Sequence, residues 1–199
     1  MLKKIIIFEG FSSAGKTTVI KKLSNFLKND FRVEILDNNH SKYASLFINN
    51  YEDLSLFKSK YTPFCFRWTK LFLFFNWIKY SNSNLFFFDR GVFSNYIFGK
   101  LDDVPEEMLN DLINNFMNLI KENNYIYKTV FVDCDLEIAN KRSAFRKNVD
   151  VNAKIRRNEL FAPYFKNIAK YYFINDIFTI NSSCYTYDNF DKLVQFIKG

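Results

Sequence analysis

The sequence has few of the residues that cross-link or interrupt a fold. Its 199 residues include 3 Cys, 3 Pro and 5 Gly, and they contain no linker, repeat or second domain. The cysteines Cys65, Cys134 and Cys184 are odd in number and far apart. That spacing favours free thiols in a reducing compartment over disulfides. We therefore expect one domain over residues 1–199, which is long enough to bury a large core.

Long apolar runs are also missing. The apolar run near the N-terminus is too short for a signal peptide. The most apolar stretch, "LFLFFNWI" at 71–78, is flanked by Lys70 and Lys79 and is far shorter than a membrane span. We therefore expect a soluble, cytoplasmic protein with no membrane partner.

The charge is basic but not concentrated. The formal net charge is +7, which suits ligands that carry phosphate, whether nucleotides or nucleic acid. No block of like charges resembles a nucleic-acid-binding tail. The lone histidine, His40, lies in a polar stretch, where a solvated side chain is the simplest interpretation.

Strand-like and helix-like segments alternate along the chain. Strands are predicted at 4–9, 32–36, 84–89, 128–135 and 178–183, and helices at 16–28, 62–80, from 105, at 136–145, at 152–172 and from 188. The predicted buried faces are Val19, Ile20, Leu23, Phe26 and Leu27 in the first helix, and Met108, Leu112, Phe116 and Ile120 in the helix from 105. This alternation predicts an α/β fold with a parallel sheet covered on both faces. Ligands of such sheets lie beyond the carboxyl ends of the strands, where Glu9, Asp89 and Asp133 are expected.

A glycine-rich loop follows the first predicted strand. "GFSSAGKT", from Gly10 to Thr17, fits G-x-x-x-x-G-K-[ST], a loop whose N–H groups surround phosphates. Lys16 would reach the β- and γ-phosphates and the Thr17 hydroxyl would bind Mg²⁺. The residues predicted to bind the ATP phosphates are Gly10, Ser12, Ser13, Ala14, Gly15, Lys16, Thr17 and Thr18. A chance match is the alternative, but the preceding strand and the following amphipathic helix favour a working loop.

An Asp-Arg pair follows another apolar strand, in "FFFDRGVFSNYIFG" at 86–99. Asp89 is placed to hold Mg²⁺ through water or to take a proton from the attacking oxygen. Arg90 would direct its planar guanidinium at phosphate oxygens. The alternative is a surface salt bridge or the start of a helix.

A basic segment occupies roughly residues 142–157. Its cations are Arg142, Arg146, Lys147, Lys154, Arg156 and Arg157. As a lid over bound nucleotide, the segment would neutralise charge on the transferred phosphoryl group, with Arg142 and Arg146 as catalytic candidates. The alternative is a solvated basic face.

Four motifs in this order, "FEG" with "AGKTT", "FRWTK", "DRGVFSNYIF" and "VDCDLEIANKR", resemble thymidylate kinase over essentially the whole chain. The related deoxyribonucleoside kinases share this outline. The family pattern Asp-Arg-x-x-x-Ser matches Asp89, Arg90 and Ser94. The resemblance implies a P-loop kinase fold with a five-stranded parallel sheet, ATP and Mg²⁺, a mobile lid, a small-molecule nucleotide acceptor and often a homodimer.

The resemblance also implies an acceptor site. An arginine like Arg67 would contact the acceptor base and an aromatic ring like Phe64 would stack on it. The alternative for Arg67 is a long side chain that extends from an apolar helix towards water. The substrate-binding candidates are Glu9, Asp37, Phe64, Arg67, Arg90 and Ser94.

Two departures from the family pattern affect the acceptor. Ser12 stands where the family carries an aspartate that contacts the acceptor sugar, and "LDNNHSK" at 36–42 lacks the arginine that holds the acceptor phosphate. That loss could suit a hydroxyl acceptor with Asp37 as base, or Lys42 could replace the arginine.

We expect ATP-dependent phosphoryl transfer to a deoxynucleotide, with dTMP as the default. One open alternative is a kinase that acts on a nucleoside hydroxyl or on a modified base in DNA. The other is a nucleotide-binding protein without transfer activity.

Overall fold

The structure, a computed structural model, describes residues 2–36, 62–145, 150–183 and 189–199, with side chains from Phe64 onward in the second range. Six residues that the sequence singles out lie outside the described residues: Asp37, His40, Lys42, Arg146, Lys147 and Cys184. Their predicted roles therefore stay predictions.

A parallel sheet forms the centre of the molecule. Its strands are β1 (Lys4–Glu9), β2 (Val33–Leu36), β3 (Leu85–Asp89), β4 (Ile126–Asp133) and β5 (Ile177–Asn181). They are ordered β2-β3-β1-β4-β5, and each neighbouring pair is parallel. The α/β fold class with a five-stranded parallel sheet is confirmed, and it agrees with a P-loop kinase-like fold. The apolar runs of β1 and β3 are fully buried because helices cover both faces of the sheet.

Helices connect the strands. They are α1 (Lys16–Leu27), α2 (Thr62–Tyr80), α3 (Val92–Leu101), α4 (Glu106–Glu122), α5 (Leu136–Ala144), α6 (Val151–Phe165) and α7 (Phe190–Lys198), with a short 3₁₀ turn at Ile168–Lys170. Across the part of the chain that the structure describes, no helix combines the length and the apolar character that crossing a bilayer requires.

Two helix predictions need correction. The helix predicted at 152–172 ends at Phe165, because the side-chain amide of Asn167 donates to the carbonyl of Pro163 at 3.1 Å and competes with further helical turns. Residues 92–101 form α3, which the sequence raised only as the alternative explanation of the Asp-Arg pair. Most of that helix is buried on every side, so it lacks the one-sided apolar pattern that marks a surface helix.

Two predicted core residues are exposed instead. Phe26 is 53 % exposed and meets the ring of Phe190 edge-on at 5.9 Å. Met108 is 44 % exposed, because Leu109 and Ile113 replace Met108 and Leu112 in the first half of the buried stripe of α4, while Phe116 and Ile120 are buried as predicted. That stripe consists of Leu109, Ile113, Phe116 and Ile120.

Aromatic rings fix α6 against the carboxyl half of the sheet. The ring of Phe165 lies 5.1 Å from Phe11, 5.5 Å from Phe93 and 5.4 Å from Phe131, measured between ring centres. Each such pair adds about 0.5–1.5 kcal/mol beyond the burial of its area. The cluster joins the loop after β1, helix α3 and strand β4 to one side chain of α6.

Candidate functional site

The loop between β1 and α1 has the backbone of an anion-binding nest. Gly10 and Gly15 have φ angles of 145° and 93°, which disfavour residues with a side chain. A Cβ on Gly10 would lie 2.5 Å from the carbonyl oxygen of Val132, so the neighbouring strand also excludes one. Helix α1 begins at Lys16, as predicted, and its first N–H groups add positive potential at the loop.

The Lys16 ammonium lies across this loop. Its Nζ donates to the carbonyl of Phe11 at 2.7 Å and to that of Gly10 at 3.2 Å. The side chain is buried, so the charge is held inside the nest rather than in solvent. This placement agrees with the predicted role of Lys16 towards phosphate oxygens.

Thr17 and Asp89 meet at the edge of the sheet. The Thr17 hydroxyl donates to Asp89 Oδ2 at 2.8 Å, across the neighbouring strands β1 and β3. Mg²⁺ prefers hard oxygen ligands and commonly takes one or two from protein, with phosphates and water filling the rest. The hydroxyl and the carboxylate fit that requirement, so these two residues would hold the ion.

Arg90 follows Asp89 in a left-handed backbone conformation, with φ 77°. Its Nη1 donates to the Ser94 hydroxyl at 3.0 Å. Burial lowers the pKa of Arg90, while the carboxylates of Glu9 and Asp89 oppose that shift. Arginine keeps its proton in proteins, so the guanidinium remains a fixed cation at this edge.

Glu9 and Ser94 lie beneath Arg90. The Glu9 carboxylate accepts from the N–H groups of Gly91 at 2.9 Å and Ser94 at 3.2 Å, and from the Ser94 hydroxyl. Both side chains are fully buried and contact protein. Ser94 thus bonds to Arg90, and Glu9 caps the first N–H groups of α3. Their predicted contact with a substrate stays a prediction.

A cavity of about 280 Å³ opens beside Asp89, between α2, α3, α6 and the ends of β2 and β3. Its described lining is rich in cations and rings, and includes Arg67, Lys70, Arg90, Arg157, Phe74, Phe98, Asp89 and Asn95. Asp89 thus contributes to both the phosphate loop and the cavity. The arrangement suits a small anionic ligand with a flat, partly apolar part.

Arg67 lines this cavity. Its Nη2 donates to Asp102 Oδ2 at 2.6 Å, and its guanidinium lies 4.3 Å from the centre of the Phe98 ring. Phe64 does not reach the cavity: it is 1 % exposed and packs against Trp68 and Gly99. Phe64 is therefore not placed to stack on a ligand in this cavity, and its predicted role stays a prediction. The sequence alone could not distinguish it from Phe74, which does line the cavity.

Arg142 does not line the cavity. Its Nη2 donates to the carbonyls of Ser182 at 2.8 Å and Ser183 at 3.2 Å, beyond the end of β5. The cavity lies on the β2–β3 side of the sheet, so Arg142 joins α5 to the opposite side. These bonds give Arg142 a structural role, and its catalytic role stays a prediction. Arg157 of α6 is the described cation of the basic segment that lines the cavity.

Side chains distant in sequence hold the phosphate loop from behind. The Ser182 hydroxyl donates to the Ala14 carbonyl at 2.6 Å, and the Ser143 hydroxyl donates to Ser13 Oγ at 2.9 Å. Asn158 bonds to the backbone of Ser12. No local motif marks these residues, because their role exists only once the sheet has formed.

Comparison with known proteins adds no family assignment. Neither a scan of protein-family models nor a search of curated proteins finds a match for this chain. The site itself combines an anion nest, a hydroxyl–carboxylate pair and a cationic cavity, all at the carboxyl edge of the sheet.

Proposed function

We propose that the protein transfers a phosphoryl group from ATP to a deoxynucleotide, with dTMP as the default acceptor. One observation carries the proposal. Asp89 bonds to Thr17 of the phosphate loop at 2.8 Å and also lines the cationic cavity. A donor in the nest and an acceptor in the cavity would therefore meet at one carboxylate, which is the juxtaposition that phosphoryl transfer requires.

The loop between β1 and α1 supports ATP as the phosphoryl donor. The N–H groups of a nest and the Lys16 ammonium together favour a polyphosphate. Thr17 and Asp89 would hold Mg²⁺, which when bound neutralises charge on the phosphates. This chain's own groups then orient the terminal phosphoryl group towards the cavity.

The cavity beside Asp89 supports a deoxynucleotide as the acceptor. Arg90, Lys70 and Arg157 supply cations there, and they can offset the missing arginine after β2. The rings of Phe74 and Phe98 provide flat apolar surfaces for a base, and Asn95 and Arg67 offer polar groups. This surplus of cations favours an acceptor that carries a phosphate over a neutral nucleoside.

The reaction then balances simply. The bond from the terminal phosphorus of ATP to its bridging oxygen breaks and releases ADP, while an ionised phosphate oxygen of the acceptor forms the new bond. No base is needed for an ionised acceptor, whereas a hydroxyl acceptor must give its proton to a group such as Asp89. A homodimer and a cytoplasmic location stay predictions of the sequence.

The test measures ADP formation from ATP and Mg²⁺ with dTMP, other deoxynucleotides, thymidine and a DNA oligomer. We expect the highest rate with a deoxynucleotide. Lys16→Ala should abolish turnover, because it removes the cation inside the nest, whereas Lys28→Ala at the exposed end of α1 is the matched control and should retain it.

Each other result has a defined meaning. A higher rate with thymidine or with DNA would replace the deoxynucleotide as the assigned acceptor. The assignment of ATP as the donor would not be affected. ATP binding without turnover on any acceptor would make the protein a nucleotide-binding protein. Full turnover in Lys16→Ala would refute the assignment of this loop as the donor site.

A further inference from the structure

Asn158 of α6 faces the back of the phosphate loop and is 1 % exposed. Its Oδ1 accepts from the Ser12 N–H at 2.8 Å, and its Nδ2 donates to the Ser12 carbonyl at 3.2 Å. The same Nδ2 donates to Asn140 Oδ1 at 2.9 Å. One side-chain amide thus satisfies both backbone groups of Ser12, much as a neighbouring strand would.

These bonds fix the direction of two successive peptide groups. In the peptide between Phe11 and Ser12, the carbonyl accepts from Lys16 Nζ at 2.7 Å and the N–H donates to Asn158. A trans peptide points these two groups in opposite directions, so Lys16 and Asn158 hold it from both sides. In the next peptide the Ser12 carbonyl points at Asn158, which turns the Ser13 N–H away from α6.

Other contacts of the loop act elsewhere. Ser182 bonds to the Ala14 carbonyl and Ser143 bonds to the side chain of Ser13, both on the α5 and β5 side. The ring of Phe11 packs on Phe165 of α6 but sets no hydrogen-bond direction. Asn158 is therefore the described side chain that orients the backbone of Ser12.

We propose that Asn158 is a positioning residue that holds the phosphate loop in its anion-binding shape before a nucleotide arrives. A preorganised loop binds more tightly because less ordering remains to be done on binding. The proposal rests on the proposed function only for the identity of the ligand, since the loop shape is a property of the free protein.

The first measurement is hydrogen exchange in the protein without ligand. In Asn158→Ala, amides of residues 10–15 should exchange about tenfold faster or more, because two peptide groups lose their hydrogen bonds. The matched control is Asn167→Ala, which removes the same side chain at the exposed end of α6. We expect no change of loop exchange in that variant.

The second measurement is ADP binding by calorimetry. Asn158→Ala should bind ADP about 10- to 100-fold more weakly, and Asn167→Ala should bind as the wild type does. Asn158→Asp keeps the size and one acceptor but loses the donor to Ser12, so it should change both readouts in the same direction. This variant decides the matter if the alanine variant does not fold.

Two outcomes overturn the proposal: loop exchange equal to that of the wild type, or a lowered thermal midpoint with loop exchange and ADP affinity unchanged. Absence of ADP binding by the wild-type protein would refute the donor site instead. The exchange experiment then still decides the role of Asn158 alone.

Discussion

At the scale of single residues, Asp89 has the most consequential position because it touches both halves of the site. Asp89→Asn should lower turnover by about 10²–10⁴-fold while the affinity for ATP changes little. The amide keeps the shape but loses the charge that acts on Mg²⁺ or on the acceptor. Steady-state kinetics and ATP calorimetry on one preparation check this.

The matched control is Asp133→Asn, which removes an acid from the end of strand β4, separated from β3 by β1. Its turnover should stay near that of the wild type. If Asp89→Asn keeps its turnover and loses ATP affinity, Asp89 only positions the donor.

Arg67 allows a second residue-scale prediction. Arg67→Ala should raise the Michaelis constant for the acceptor about 10- to 100-fold, because hydrogen bonds from a charged donor contribute about 1.5–3 kcal/mol. The constant for ATP should not change. Kinetics with each substrate varied in turn measure both.

Asp102→Asn shows whether Arg67 contacts the ligand directly or acts only through its ion pair with Asp102. It removes the ion pair at 2.6 Å and keeps the guanidinium over the Phe98 ring. A partly exposed pair contributes at most about 1 kcal/mol, so stability should fall slightly and acceptor affinity should change little. Equal effects of both substitutions on acceptor affinity would mean that Arg67 acts through the pair and not on the ligand.

At the scale of elements, the junction of β1 with α3 gives a pH-dependent prediction. Burial raises the pKa of Glu9 above its ordinary 4.5, against the opposing effects of the Ser94 hydrogen bond and the Arg90 charge. The folded state therefore holds this proton more tightly than the unfolded chain does. The contribution of Glu9 to stability is fully present below pH 4.5 and is lost as pH rises through the folded pKa.

Glu9→Gln removes that titration. We compare the thermal midpoint of the wild type with that of Glu9→Gln at each pH. The difference, wild type minus variant, should fall as pH rises from 4 towards 7, a range that begins about half a unit below the ordinary pKa of 4.5. Glu107→Gln, in the exposed first turn of α4, removes the same charge elsewhere. A midpoint difference that stays flat with pH, or one that Glu107→Gln reproduces, would refute the coupling of burial to protonation.

The individual elements show how much of the fold and of the site can be predicted from the sequence. β1, the phosphate loop and the start of α1 were predictable, because an apolar run, two glycines and an amphipathic repeat are local signals. α3 was not, since burial on all sides removes its periodicity. The contacts of Asn158 with Ser12 and of Arg142 with Ser182 join residues distant in sequence, and no local pattern encodes them.

At the scale of the whole molecule, part of the basic charge has a structural role. At the amino edge of the sheet, Lys3 donates to the carbonyls of Lys79 at 3.2 Å and Ser81 at 2.8 Å, near the end of α2. Lys4 and Lys128 donate to carbonyls at the end of α7. Cations stabilise helix C-termini. The net charge is therefore a weaker argument for nucleic-acid binding than it looks in the sequence.

A substitution of Lys128 tests whether these lysines have a structural role. Lys128→Met should lower the free energy of unfolding by about 1.5–3 kcal/mol, because Nζ donates to the Phe196 carbonyl at 2.7 Å in a largely buried place. Turnover should not change, since the residue lies at the edge opposite the site. Denaturant unfolding measures the loss, and Lys192→Met on the exposed face of α7 is the control. Reduced turnover with unchanged stability would contradict this role.

The position of the aromatic residues on α2 has a practical consequence. The chain contains two tryptophans, Trp68 and Trp77, and both belong to this helix. Trp68 is next to Arg67, and the indole of Trp77 bonds to Glu34 of β2 at 2.5 Å. Intrinsic tryptophan fluorescence therefore reports on α2, the helix that also supplies Arg67, Lys70 and Phe74 to the cavity. An unlabelled titration with dTMP can therefore test whether a ligand disturbs this helix, without any measurement of turnover.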